Sequence, residues 1–186
     1  MNKAQALEKI GQEIMHCKIC QLNKSGLPVV GEGDPDAKIM FIGEAPGKEE
    51  AKTGRPFIGR SGKLLRSMIR EVGLKEEGVY ITSPVKYLPD SGTPNSEEIT
   101  HGRKHLNEQI EVIKPLVIVL LGRVAAEAVL EEKLSVMKEH GKILQKDNRQ
   151  YFLTIHPAAA VRFFKNRAVI KADFQKLKEI VDNLEK

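Results

Sequence analysis

Cysteine is nearly absent from this 186-residue chain. Only Cys17 and Cys20 occur, which excludes a disulfide-stapled scaffold. Spaced as Cys-x-x-Cys, the pair is left as half of a metal site, a redox couple or an inert pair. Long apolar runs are missing too. The longest, Leu116 to Leu121, is far too short to span a membrane. Residues Met1 to Gln5 lack the apolar run of a signal peptide, so a cytoplasmic protein without membrane contact is expected. No repeat, low-complexity tract or Gly/Ser linker interrupts the chain, so one domain over residues 1–186 is expected, long enough for a sizeable core. A Walker-type Gly-rich loop closing on Lys-Ser/Thr is also missing, which counts against an α/β nucleotide-binding protein.

What is present fits a globular protein: 41% of residues are hydrophobic and 30% charged. The net charge of +5 suits a polyanionic partner such as nucleic acid without requiring one. Short apolar runs alternate with amphipathic stretches. Helices are expected over 3–16, 61–72, 96–113, 124–130 and 170–185, and strands over 38–42, 79–82, 116–121 and 151–155. The Gly- and Pro-rich stretches 25–36 and 84–95 read as loops, and Lys48 to Lys52 as a solvated charged stretch. Strands alternating with helices imply a four-stranded parallel sheet covered on both faces, an α/β/α sandwich.

In such sheets ligands sit outside the carboxyl ends of the strands. That rule selects Gly43-Glu44, Ser83, Gly122 and His156. Around Glu44, the glycines and proline of Gly43-Glu44-Ala45-Pro46-Gly47 make a tight turn that exposes a carboxylate. The stretch from Thr53 to Leu65 surrounds Phe57 with three glycines and opens a helix. Its backbone N–H groups suit an anion or a carbonyl oxygen, and the Phe57 ring suits a flat ligand or the packing of the loop. After His156-Pro157, the apolar stretch to Phe164 reads as a wedge into a duplex or as the first turn of a helix.

Several of these motifs together resemble one family. GEAPG at 43–47, GRPFIGRSGKLL at 54–65, VYIT at 79–82 and HP at 156–157 are similar to the family 4, iron–sulfur type, uracil-DNA glycosylases, as are CKIC at 17–20 and GEGDPDAKIMFIGEAPG at 31–47. The resemblance runs in register from Cys17 to Arg162. It implies a three-layer α/β/α sandwich and a monomeric base-excision repair enzyme that hydrolyses the N-glycosidic bond of uracil, or of a related deaminated base, flipped out of DNA. Catalytic roles fall on Glu44 and His156, with Glu50 as a second acidic position. Gly43, Ala45, Pro46, Gly47, Phe57 and Ser83 would hold the base. Arg55, Arg60, Ser61, Lys63 and Arg162 would meet the DNA.

Two departures stand out. The family holds a [4Fe-4S] cluster on four cysteines, whereas this chain has Tyr87 at the third position and His101 at the fourth. A degenerate cluster at Cys17, Cys20 and His101, a zinc site that adds His105, and no metal at all remain open. The chemistry itself requires no cofactor. The family's base-reading Asn is replaced by Ser83, which points to altered base discrimination. Hypoxanthine excision and a catalytically inactive DNA-binding protein are the competing functions.

Overall fold

The computed structural model describes residues 1–184. Helix α1 (Lys3–His16) begins at a reciprocal cap between Asn2 and Gln5, and the single turn α2 (Lys18–Gln21) starts where the Cys17 sulfur accepts the Cys20 N–H. The short strands β1 (Lys24–Ser25) and β2 (Glu32–Gly33) lead into β3 (Ile39–Ile42). Helices α3 (Lys48–Thr53) and α4 (Arg60–Glu71) follow, then β4 (Val79–Thr82) and β5 (Leu88–Pro89). Helix α5 (Ser96–Ile113) opens on an Asn95–Glu98 capping box and closes at Lys114, just before Pro115. Strand β6 (Val117–Leu121), helices α6 (Arg123–Leu130) and α7 (Val136–Glu139), and strands β7 (Lys142–Lys146) and β8 (Arg149–Thr154) come next. The chain ends with α8 (Pro157–Arg162) and α9 (Asn166–Leu184). The last residue expected in the final helix, 185, lies outside the described residues.

The main sheet runs β2-β4-β3-β6-β8-β7. Its four inner strands are parallel, as expected, and are the four read from sequence. Edge strands β2 and β7 are antiparallel additions, so the sheet has six strands and is mixed. Alternate residues feed opposite faces. Met40, Ile42, Ile118 and Leu120 pack under α5 and α6, while Ile39, Phe41, Val117 and Val119 pack under α4 and α9. The sheet is therefore buried on both sides, as parallel strands require. A satellite cluster of Ile10, Ile14, Cys20 and Tyr87 joins α1 and α2 to the body. No helix among the described residues is long and apolar enough to cross a membrane.

The strand order matters for the site. From β3 the chain moves one way to β4, then crosses back so that β6 and β8 lie on the other side. The direction of winding reverses between β3 and β6, and a crevice opens there at the carboxyl edge.

Candidate active site and a Cys/His group

Glu44, Ser83 and His156 follow the last residues of β3, β4 and β8 closely, and all three line one cavity of about 500 Å³. Ala45, Pro46, Gly47, Glu50, Phe57, Ser61 and Arg162 line it too. Val29, Lys48, Leu88 and Gly92 also line it and were not singled out in the sequence. Lys48 adjoins the Gly43–Gly47 turn, which was a signal for it; Val29 and Gly92 lie in loops and Leu88 in the two-residue strand β5, whose sequence carried none. Arg60 lines an adjoining depression together with Lys48, Ser61 and Arg162. Lys63 is exposed on α4 and lines neither. Arg55 turns away, its guanidinium donating to Glu32 at 2.7 and 2.9 Å.

Phe57 owes its place to two glycines. A Cβ on Gly43 would lie 2.5 Å from the Phe57 ring, and one on Gly62 would lie 2.0 Å from its carbonyl carbon. With hydrogens there instead, the ring lies across the end of β3, its centroid 5.9 Å from that of His156. Phe57 holds φ at 52°, the left-handed region that costs a bulky residue energy and persists only where the surroundings impose it. Two side chains impose it. The Glu50 carboxylate accepts the N–H groups of Ile58 and Gly59 at 2.9 and 2.8 Å. Arg66 donates to the carbonyls of Phe57 and Pro56 at 3.0 and 2.9 Å. Two of the backbone donors expected to cradle an anion thus hold the chain's own carboxylate.

His156 caps α8. The Ala158 N–H donates to its Nδ1 at 3.1 Å, so Nδ1 is the acceptor nitrogen and the proton of the neutral ring resides on Nε2. Burial pushes the imidazole down to about 4, which keeps it neutral near pH 7. The result is a neutral N–H donor at the cavity. Burial raises the Glu44 carboxyl above its ordinary value, opposed by the charge of Arg123. The Ser83 hydroxyl donates to the Val85 carbonyl at 2.8 Å, so only its lone pairs remain for a ligand.

Behind this wall the segment 83–88 is fixed by Lys86. Its buried ammonium donates to Val30 O, Thr82 Oγ1 and Gln109 Oε1 at 3.2, 2.7 and 2.7 Å. Three acceptors meet three hydrogens, although burial pushes the amine down to about 7. Beyond Lys86, Tyr87 packs in the satellite cluster with Cys20. Next to it, Cys17, Cys20, His101 and His105 gather so that one donor atom of each lies within 4.8 Å of the others, a group able to hold a metal ion. His101 Nε2 is 3.2 Å from Cys17 Sγ. The structure brings together Cys17, Cys20 and His101, the candidate metal ligands of the sequence, with His105, the fourth residue of the zinc alternative, one helical turn further along α5.

Comparison with known proteins adds an independent line. Residues 30–183 match the family model described as the uracil DNA glycosylase superfamily. A type-4 uracil-DNA glycosylase of Sulfurisphaera tokodaii is 41% identical, over 94% of this chain and 84% of that one. One from Thermotoga maritima is 37% identical over 96% of each, and one from Archaeoglobus fulgidus 36% over 95% and 94%.

Proposed function

The chain belongs to the uracil-DNA glycosylase superfamily, in its type-4 branch, and on that premise we propose that it excises uracil, or a closely related deaminated base, from DNA. The observation that carries this is the meeting of Glu44, Phe57 and His156 in one cavity at the sheet's carboxyl edge, with His156 held as a neutral Nε2–H donor.

A base inside a duplex is out of reach, so it is flipped into the cavity. Phe57 stacks on its face, and the backbone of Gly43, Ala45 and Gly47 borders its edge. The N1–C1′ bond breaks and its electron pair leaves with the base, giving an oxocarbenium-like sugar beside an anionic leaving group. The His156 Nε2–H donates to the base oxygen on which that charge gathers. Glu44 lies against the sugar cation and orients the water that attacks C1′, accepting the proton the water sheds. Glu50 acts indirectly, through the loop that carries Phe57. Arg162, at the end of α8, braces the space the base vacates, and the exposed Phe163 and Phe164 beside it suit a wedge between base steps. Arg60, Ser61 and Lys63, at the start of α4, meet phosphates. Arg55 contributes less, being held by Glu32. The working unit is a single monomeric domain over residues 1–186, acting in the cytoplasm. No step needs a metal; any ion or cluster at Cys17 and Cys20 is structural.

Ser83 favours a second reading of specificity. Offering lone pairs only, it accepts from a ring N–H flanked by a carbonyl, which both uracil and hypoxanthine possess. It donates nothing to the neighbouring carbonyl oxygen.

The test is base release from oligonucleotides carrying one uracil or one hypoxanthine. Uracil release is expected, falling by roughly 10²–10³-fold in Glu44→Gln and in His156→Ala with an unchanged unfolding transition. Release of hypoxanthine alone would transfer the assignment to that base. Release of neither, with DNA still bound, would overturn the enzymatic reading.

A further inference from the structure

The type-4 resemblance calls for a [4Fe-4S] cluster, and the residues present do not fit one. A cubane takes four thiolates, each on its own iron; here there are two thiols and two imidazoles. Tyr87, at the third expected position, is buried against Ile10, Ile14 and Cys20 as a packing residue, and its hydroxyl accepts from Gln21 Nε2 at 3.5 Å.

The geometry suits something smaller. All four donor atoms lie within 4.8 Å of one another, whereas ligands on separate irons span a wider figure. Four ligands sharing one tetrahedral ion need separations of about 3.3–3.8 Å, given bonds of ~2.0–2.3 Å. The Cys17 Sγ to His101 Nε2 distance of 3.2 Å is already near that range. Spacing agrees as well: Cys17 and Cys20 are separated by two residues and His101 and His105 by three, the pattern of Cys₂His₂ zinc sites. Cys17 and Cys20 flank the start of α2, and the two histidines share one face of α5 a turn apart.

A second observation supports ligation. The Nδ1 of His105 faces the Glu108 carboxylate at 3.2 Å. A carboxylate on one ring nitrogen fixes the tautomer and leaves Nε2 to bind, the arrangement that orients metal-bound histidines.

We propose that Cys17, Cys20, His101 and His105 form a closed tetrahedral site for a single zinc-type divalent ion, with Glu108 as its positioning residue. The site replaces a cluster by one ion and clamps the α1–α2 junction to α5. The inference stands apart from the base-excision reading, since its readouts do not involve DNA.

The test is metal and acid-labile sulfide analysis of the full chain purified without oxygen, with its visible spectrum. One zinc per chain, no sulfide and no visible absorption are expected. Cobalt(II) exchanged into the chelator-treated protein should give the visible bands of tetrahedral thiolate–imidazole ligation. Cys17→Ser should lose the stoichiometric ion. Glu108→Ala, a partly exposed position that leaves the four ligands in place, should weaken zinc binding about 10–100-fold. Iron with sulfide, in a two-iron or four-iron cluster, would overturn the proposal. So would a metal-free protein that fails to take up added zinc, or zinc affinity indifferent to Glu108→Ala.

Discussion

At His156 one backbone donor decides which ring nitrogen carries the proton, and burial decides that the ring is neutral. Glu44 is shifted the opposite way, above its ordinary value. As pH falls, Glu44 therefore takes up its proton before His156 does. Base release should decline along an acid limb displaced upward from the ordinary Glu value, and a kcat–pH profile of Glu44→Gln should lack that limb. The two groups also push stability in opposite senses. Between about 4 and 6.5 the unfolded chain binds the His156 proton and the native state does not, so this contribution is complete above 6.5 and fades as pH falls towards 4. The native Glu44 carboxyl binds its proton where the unfolded one has lost it, so its contribution declines as pH rises through its native value. Ser83 makes the other residue-scale prediction. Ser83→Asn restores a side-chain donor beside the base, and kcat/KM for uracil should rise about fivefold to tenfold, the equivalent of one net hydrogen bond. A rate that stays put would mean that the amide does not reach the base.

The 54–59 loop is held in an unfavourable backbone state by two charged side chains. Glu50→Ala frees the two N–H groups. It should cost about 1–3 kcal/mol in urea unfolding and lower base release by roughly 10²-fold through displacement of Phe57. Glu50→Gln keeps one acceptor oxygen and should recover part of both; a Gln variant as inactive as Ala would restore Glu50 as a catalytic candidate. Element by element, the sequence was legible where burial is strongest. The inner strands β3, β4, β6 and β8 are largely apolar and were read to within two residues of their ends; the polar start of β8, Arg149-Gln150, was the part missed. Strand β2 escaped because a two-residue pairing inside a Gly-rich stretch has no period to detect. Strand β7 escaped although its turn was visible: Asp147 and Asn148, at φ 51° and 60°, form the two-residue connection of a tight hairpin. Helix α3, read as a solvated charged stretch, forms because Glu49 and Glu50 sit in its first turn and because Glu50 and Ala51 are buried. That Glu44, Ser83 and His156 share one cavity was legible because all three follow strand ends. The contact of Glu50 with the Ile58 N–H and the engagement of Arg55 by Glu32 depend on partners 8 to 23 residues away, which no local pattern encodes.

Across the whole molecule the excess of +5 is only partly local to the cavity, where Lys48, Arg60 and Arg162 border the adjoining depression. DNA affinity should therefore be steeply salt-dependent. Removing one of these cations, as in Arg60→Ala, should reduce the slope of log K against log salt by about 0.9, while Arg55→Ala should leave it nearly unchanged. Equal slopes for both variants would place the phosphate track elsewhere. Finally, Gly43 and Gly62 leave no room for any other residue beside Phe57. In a library randomised codon by codon and selected for uracil removal in living cells, these two positions should return glycine almost alone. Neighbouring Lys52, exposed on α3, should drift freely. The protein's evolutionary latitude would then be narrowest at positions that carry no side chain at all.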